Sequence, residues 1–128
     1  MELKDQVVSL ELAREMKELG FEQESLWYWC RDQIEGWERP FLLQGHGMHK
    51  EYYSAYTVAE LGEMLPDWFY TIRSDGGRGW NCIDGDAPID SFGCEMDKNE
   101  GYYPECLART EANARASMLI YLKENKLI

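Results

Sequence analysis

No stretch of this 128-residue chain comes near the roughly 20 consecutive apolar residues that span a bilayer, so no membrane association is expected. Its first residues, Met1-Glu2-Leu3-Lys4-Asp5-Gln6, lack a basic segment followed by an apolar one, and no secretory leader is read there. The expectation is a cytoplasmic protein whose four cysteines stay reduced. Cys30, Cys82, Cys94 and Cys106 contain no C-x-x-C pair and lie 12 or more residues apart. The two histidines, His46 and His49, share one short loop, and the tight ligand knuckles of structural zinc sites are missing. Neither a metal nor another cofactor is expected. Basic clusters are lacking too. Against 24 Asp and Glu stand 13 Lys and Arg, a net charge of −11 with a pI near 4.6. Such a surface repels phosphate backbones, which disfavours direct nucleic-acid binding.

What is present describes one ordinary domain over residues 1–128, with 45% hydrophobic and 29% charged residues and no repeat, linker or low-complexity tract. Ser9 to Leu19 reads as a helix, because Ser9 is a good N-cap and Leu12, Met16 and Leu19 form one apolar stripe that ends at Gly20. Ser25 to Cys30 is dense in aromatics and reads as a strand, with Leu26, Tyr28 and Cys30 on one face and Trp27 and Trp29 on the other. Glu35 to Tyr53 reads as irregular, punctuated by Gly36, Pro40, Gly45 and Gly47, with short strands at Phe41–Leu43 and Tyr52–Tyr53. Thr57 and Glu60 form a capping box for a short helix that Pro66 stops.

Trp68 to Ser74 and Trp80 to Asp84 read as a hairpin, and Ser91 to Met96 as a third strand. Thr110 begins the last helix, whose apolar face is Ala112, Ala116, Leu119 and Ile120, widened by Met118 and Leu122. Helices at both ends with strands between predict an α+β fold. An antiparallel sheet of about three to five strands would carry the N-terminal and C-terminal helices on one face.

Catalytic patterns are weak. Asp84-Gly85-Asp86 begins like a calcium loop, but the fifth and sixth positions hold Pro88 and Ile89 in place of an oxygen ligand and glycine. Gly76-Gly77-Arg78-Gly79 lies between two strands and leads into no helix, so a hairpin turn explains it better than a phosphate loop. There is no Gly-x-Ser-x-Gly elbow. A helix-turn-helix over Leu12–Trp29 would present Glu22 and Glu24 to phosphate, which opposes DNA reading.

Aromatic content is the unusual property, with five Trp, eight Tyr and four Phe in 128 residues. Such side chains give large contact area at low entropy cost, so Trp27, Trp29, Trp37 and Trp68 are the candidate binding residues. The competing reading buries both faces of the aromatic strand, one under helices and the other under the Glu35–Tyr53 segment.

Three segments carry a resemblance. They are Ser9-Leu10-Glu11-Leu12-Ala13 through Leu19-Gly20 with Gln23-Glu24-Ser25-Leu26 and Tyr28-Trp29; Tyr56-Thr57-Val58-Ala59-Glu60-Leu61-Gly62-Glu63-Met64-Leu65-Pro66; and Thr110-Glu111-Ala112-Asn113-Ala114-Arg115-Ala116 through Met118-Leu119-Ile120-Tyr121-Leu122 with Glu124-Asn125. Together they resemble a group of small proteins encoded by bacteriophages and prophages, a group with no assigned activity from which catalytic residues could be carried over. The leading expectation is therefore a non-enzymatic protein-binding or interaction module, including self-association. An acidic nucleic-acid mimic that inhibits a host protein is the second reading, and a small enzyme using His46 and His49 the third.

Overall fold

Ser9 begins the first helix as its chemistry suggests: its hydroxyl accepts the Leu12 N–H at 3.4 Å at the head of α1, Leu10–Glu18. Gly20 follows with φ +92°, a backbone conformation that costs glycine no Cβ clash. The computed structural model describes residues 2–45, 47, 51–73, 79–85 and 105–128. Within these, α2 spans Val58–Met64 and α3 spans Glu111–Glu124. At α2 the capping box is reciprocal, with Glu60 N–H donating to Thr57 Oγ1 at 3.2 Å and Thr57 N–H to Glu60 Oε1 at 3.0 Å. Thr110 Oγ1 accepts the Asn113 N–H at 3.2 Å to start α3, and Asn113 Oδ1 accepts the Ser9 N–H at 2.8 Å. The two helix starts are thereby tied together.

The α+β class stands, with the strands divided into two three-stranded antiparallel sheets. The first contains β1 (Trp27–Asp32), β2 (Gly36–Gln44) and β3 (Tyr52–Ser54), in the order β2-β1-β3. The second contains β4 (Phe69–Arg73), β5 (Trp80–Asp84) and β6 (Glu105–Ala108), in the order β4-β5-β6. The expected Trp68/Trp80 hairpin is present as the β4–β5 pair, with its turn residues 74–78 outside the described residues. Ser91–Met96 also lies outside them; β6 pairs with β5 as the third strand.

One expectation is corrected. Most of Glu35–Tyr53 that is described is regular, because β2 runs for nine residues. Asp32 Oδ1 accepts the N–H groups of Ile34 and Glu35, each at 2.8 Å, and Gly36 takes φ +59° to re-enter the ladder. Pro40 is tolerated because β2 is an edge strand, where a missing N–H need not cost a ladder bond.

α3 is the centre of the core. Ala112, Ala114, Ala116, Met118, Leu119, Ile120 and Leu122 are all buried, more of its circumference than one apolar stripe. A helix apolar nearly all round must be covered on several sides. Here α1, α2 and the inner face of β4-β5-β6 cover it, while α1 also packs on β3. Arg115 joins three of these elements, donating to Val58 O at 2.9 Å and Thr71 Oγ1 at 3.2 Å. Gly62 makes room for it, since a Cβ there would run into Arg115 Nη1. Gly62→Ala is therefore expected to displace the guanidinium and cost about 1–3 kcal/mol through its lost hydrogen bonds. Urea unfolding followed by tryptophan fluorescence checks this; a change under about 0.5 kcal/mol would mean the guanidinium re-seats freely.

Candidate interaction surface

The four candidate tryptophans are not brought together. Trp27 and Trp29 are half-buried on β1, while Tyr28 and Cys30 between and beyond them are buried. Trp29 packs against the core and donates its indole N–H to Val8 O at 2.8 Å, so its polar handle serves the fold. Trp37, on β2, lies 5.1 Å from the Tyr53 ring, and the Arg14 guanidinium sits 5.3 Å from its centroid. Trp29 and Trp37 do share a cleft of about 420 Å³ with Leu10, Pro40 and Asn113. Trp68 belongs to the other sheet and is 49% exposed.

Around Trp68 a different surface emerges from strand geometry. Side chains alternate across a sheet, so Phe69 and Thr71 share one face, and Tyr70 and Ile72 the opposite one. Phe69, Trp80, Cys82, Cys106 and Ala108 belong to or pack against the core, which fixes that face as the inner one. The outer face then carries Tyr70 and Ile72 from β4, Asn81 and Ile83 from β5, and Leu107 from β6. Trp68, one residue before β4, is exposed beside this strand, its ring 6.2 Å from that of Phe69.

Tyr70 is 44%, Ile72 45% and Leu107 69% exposed, with buried Ile83 opposite Tyr70. An antiparallel sheet with one face on a core ordinarily presents polar side chains on the other. This one presents tyrosine, isoleucine and leucine, with an exposed tryptophan just before β4, which is anchor chemistry of protein interfaces. Sequence reasoning identified Trp68 and missed Tyr70, Ile72 and Leu107. The available signal was Trp68-Phe69-Tyr70-Thr71-Ile72, a strand with large apolar groups at both parities.

The two ends of the sheet differ in charge. Asp67 and Asp84 stand at the end where β4 begins and β5 finishes, while Arg73 and Arg109 stand at the end where β4 finishes and β6 leads out. Arg73 has the parity of Phe69 and Thr71, and its guanidinium lies 5.3 Å from the centre of the Trp80 ring. A second cleft, of about 440 Å³, lies elsewhere and gathers Glu22, Glu24, Glu60 and Glu63 beside Phe21 and Tyr56. Glu60 is committed there to the fold, because its Oε2 accepts the Leu26 N–H at 3.2 Å.

Ionisation follows burial. The Tyr56 phenol is pushed up from its ordinary 10.0 to about 12, first by burial and then by the nearby Glu60 and Glu22 charges. Cys82 rises from 9.0 to about 12, again chiefly by burial, with Cys106 directly across the ladder adding to it. Burial also raises Cys30. Thiols held protonated in this way are poor nucleophiles at neutral pH.

Both raised groups keep their protons in the fold after the unfolded chain has released them. Their contribution is thus fully present below about pH 9 and is lost as pH climbs toward about 12. The urea midpoint is expected to fall between pH 9 and 11.5, and to fall less steeply above pH 10 in Tyr56→Phe. Parallel curves for the two proteins would remove Tyr56 from the account.

His46 and His49 lie outside the described residues. Among the described residues, no group of three or more His, Cys, Asp or Glu side chains could hold a metal ion, and no helix is long and apolar enough to cross a membrane. Comparison of the chain with protein-family models, with curated proteins and with solved structures gave no match.

Proposed function

We propose that this chain is a non-enzymatic protein-binding module, of phage or prophage origin, and that it docks through the outer face of the β4-β5-β6 sheet. One observation carries the reading: Tyr70, Ile72 and Leu107 stand exposed together on one face of one sheet, with exposed Trp68 just before β4. Large exposed apolar patches mark interaction sites, because covering them removes apolar surface from water at roughly 25 cal/mol per Å². Trp29 and Trp37 on the other sheet support the fold instead, through the Val8 bond, the Tyr53 contact and the Arg14 stack. The phage or prophage attribution rests on the resemblance of the three sequence segments. Affinity capture from nuclease-treated bacterial lysate tests the reading. A protein retained stoichiometrically by the wild type and lost with Trp68→Ser is the expected result; equal retention by both would move the docking surface elsewhere.

A second reading is favoured by the net charge of −11 and the cleft bearing Glu22, Glu24, Glu60 and Glu63. An acidic surface of this kind can occupy the basic groove of a nucleic-acid-binding protein, with association accelerated by its field and weakened by salt. Elution of a captured partner in rising salt separates the two. Release at low salt from wild type and Trp68→Ser alike fits the acidic mimic, and salt-resistant retention fits the apolar face.

A further inference from the structure

We infer that Cys82 and Cys106 are a reversible redox pair: the chain reacts with a small-molecule disulfide at Cys106 and closes a bridge between β5 and β6. Both side chains are thiols in this structure, and they stand directly opposite each other across the β5–β6 ladder, on the inner face of the sheet. Their separation follows from the pairing. Gly85 N–H donates to Trp68 O at 2.8 Å, one step beyond the Phe69–Asp84 pair. Hydrogen-bonded and non-bonded pairs alternate along an antiparallel ladder, so Tyr70–Ile83 is bonded and Thr71–Cys82 is not. Cys82 therefore turns its peptide groups toward β6, and Cys82–Cys106 is a bonded pair with Cα atoms about 5.5 Å apart. A disulfide spans about 4.4–6.8 Å between Cα atoms, so the strands need neither part nor slide to be bridged. Closing draws the two Cβ atoms together by roughly 1 Å, a movement the edge strand β6 can supply. A bridge held under that tension is readily reduced again.

Exposure divides the roles. Cys82 is fully buried and burial keeps it protonated, whereas Cys106 is half-buried. Cys106 takes the first step. Its thiolate attacks one sulfur of the small disulfide, forms a mixed disulfide and expels one thiolate, which takes up the proton that Cys106 released. Cys82 then attacks the Cys106 sulfur, expels the second small thiolate and passes its own proton to it. Two protein thiols and one small disulfide become one protein disulfide and two small thiols, with no further oxidant. Burial slows the second step, and the fixed position of Cys82 opposite Cys106 offsets this, because oriented intramolecular reactions gain very large effective concentrations. Cys30 shows the contrast: it is equally buried but has Phe41 and Tyr52 across its ladders, so it serves packing alone.

The test incubates the folded full chain with oxidised glutathione, then unfolds and alkylates it and maps its peptides by mass spectrometry. A linked Cys82–Cys106 peptide is expected, with dithiothreitol restoring both thiols. Cys30 is expected to remain alkylatable, which marks the oxidation as one of the folded chain. Cys106→Ser is expected to lower oxidation of Cys82 by at least about tenfold, since the entry thiol is gone. In Cys82→Ala, Cys106 is expected to accumulate as its glutathione adduct. A lasting glutathione adduct on wild-type Cys106 beside an unreacted Cys82 would overturn the pair, as would linkage of Cys106 to Cys94 instead. Undiminished oxidation of Cys82 in Cys106→Ser would overturn the order of steps. Oxidation of Cys30 as fast as that of Cys106 would overturn the inference too, because the reaction would then run through unfolding.

Discussion

Trp68→Ser combined with Ile72→Thr is expected to reduce protein binding by at least about 30-fold while shifting stability by no more than about 1 kcal/mol. The two effects separate because both side chains stand 45% or more exposed and neither belongs to the hydrophobic core. Truncating a central aromatic or aliphatic anchor in an interface commonly costs about 2 kcal/mol or more, which is the 30-fold. Threonine keeps the β-branched shape that suits a strand, so the ladder from β4 to β5 is preserved. Binding measured by surface capture and stability measured by urea unfolding must therefore diverge. Parallel losses would mean that these residues hold the sheet together and that the face is structural.

Leu119→Ala has the opposite signature. Leu119 is fully buried in α3, the helix on which α1, α2 and the second sheet converge. Removing its isobutyl group forfeits transfer free energy and leaves a cavity that a helix packed on several sides cannot readily collapse. A loss of about 2–5 kcal/mol is expected, a large share of the stability of a domain this size. Binding at a temperature where the variant remains folded is expected to be unchanged. A loss below about 1 kcal/mol would contradict the central position given to α3.

The helices were legible because their signals are local. Ser9, Thr57 and Thr110 cap the helices read from them, and Glu60 closes the box read from its spacing to Thr57. Strand β2 was hidden by Gly36 and Pro40, which usually break strands but here begin an edge strand and sit within it. Its signal was the Asp32 turn ahead of Gly36, a local hydrogen-bond pattern easily read as loop. The division into two sheets was beyond reach, because it depends on pairings distant in sequence, such as Cys82 with Cys106.

The docking face was half legible for the same reason. Alternation assigns Tyr70 and Ile72 to one side, but only the position of α3 decides which side meets water. Leu107 carries no such signal, since its parity is meaningful only once β6 is paired with β5. The tryptophan count pointed to aromatic binding chemistry; tertiary packing then used Trp29 and Trp37 within the first sheet and left Trp68 exposed.

The central claim, that the outer face of β4-β5-β6 is the surface this protein uses, is tested most directly by hydroxyl-radical footprinting. The chain would be labelled dilute and alone, then in concentrated nuclease-treated bacterial lysate and at high concentration of itself. Ile34 and Leu26, 93% and 56% exposed and outside this face, serve as internal controls. Protection of Trp68, Tyr70 and Leu107 with the controls unchanged is the predicted result. Equal labelling of all five residues under every condition would contradict it.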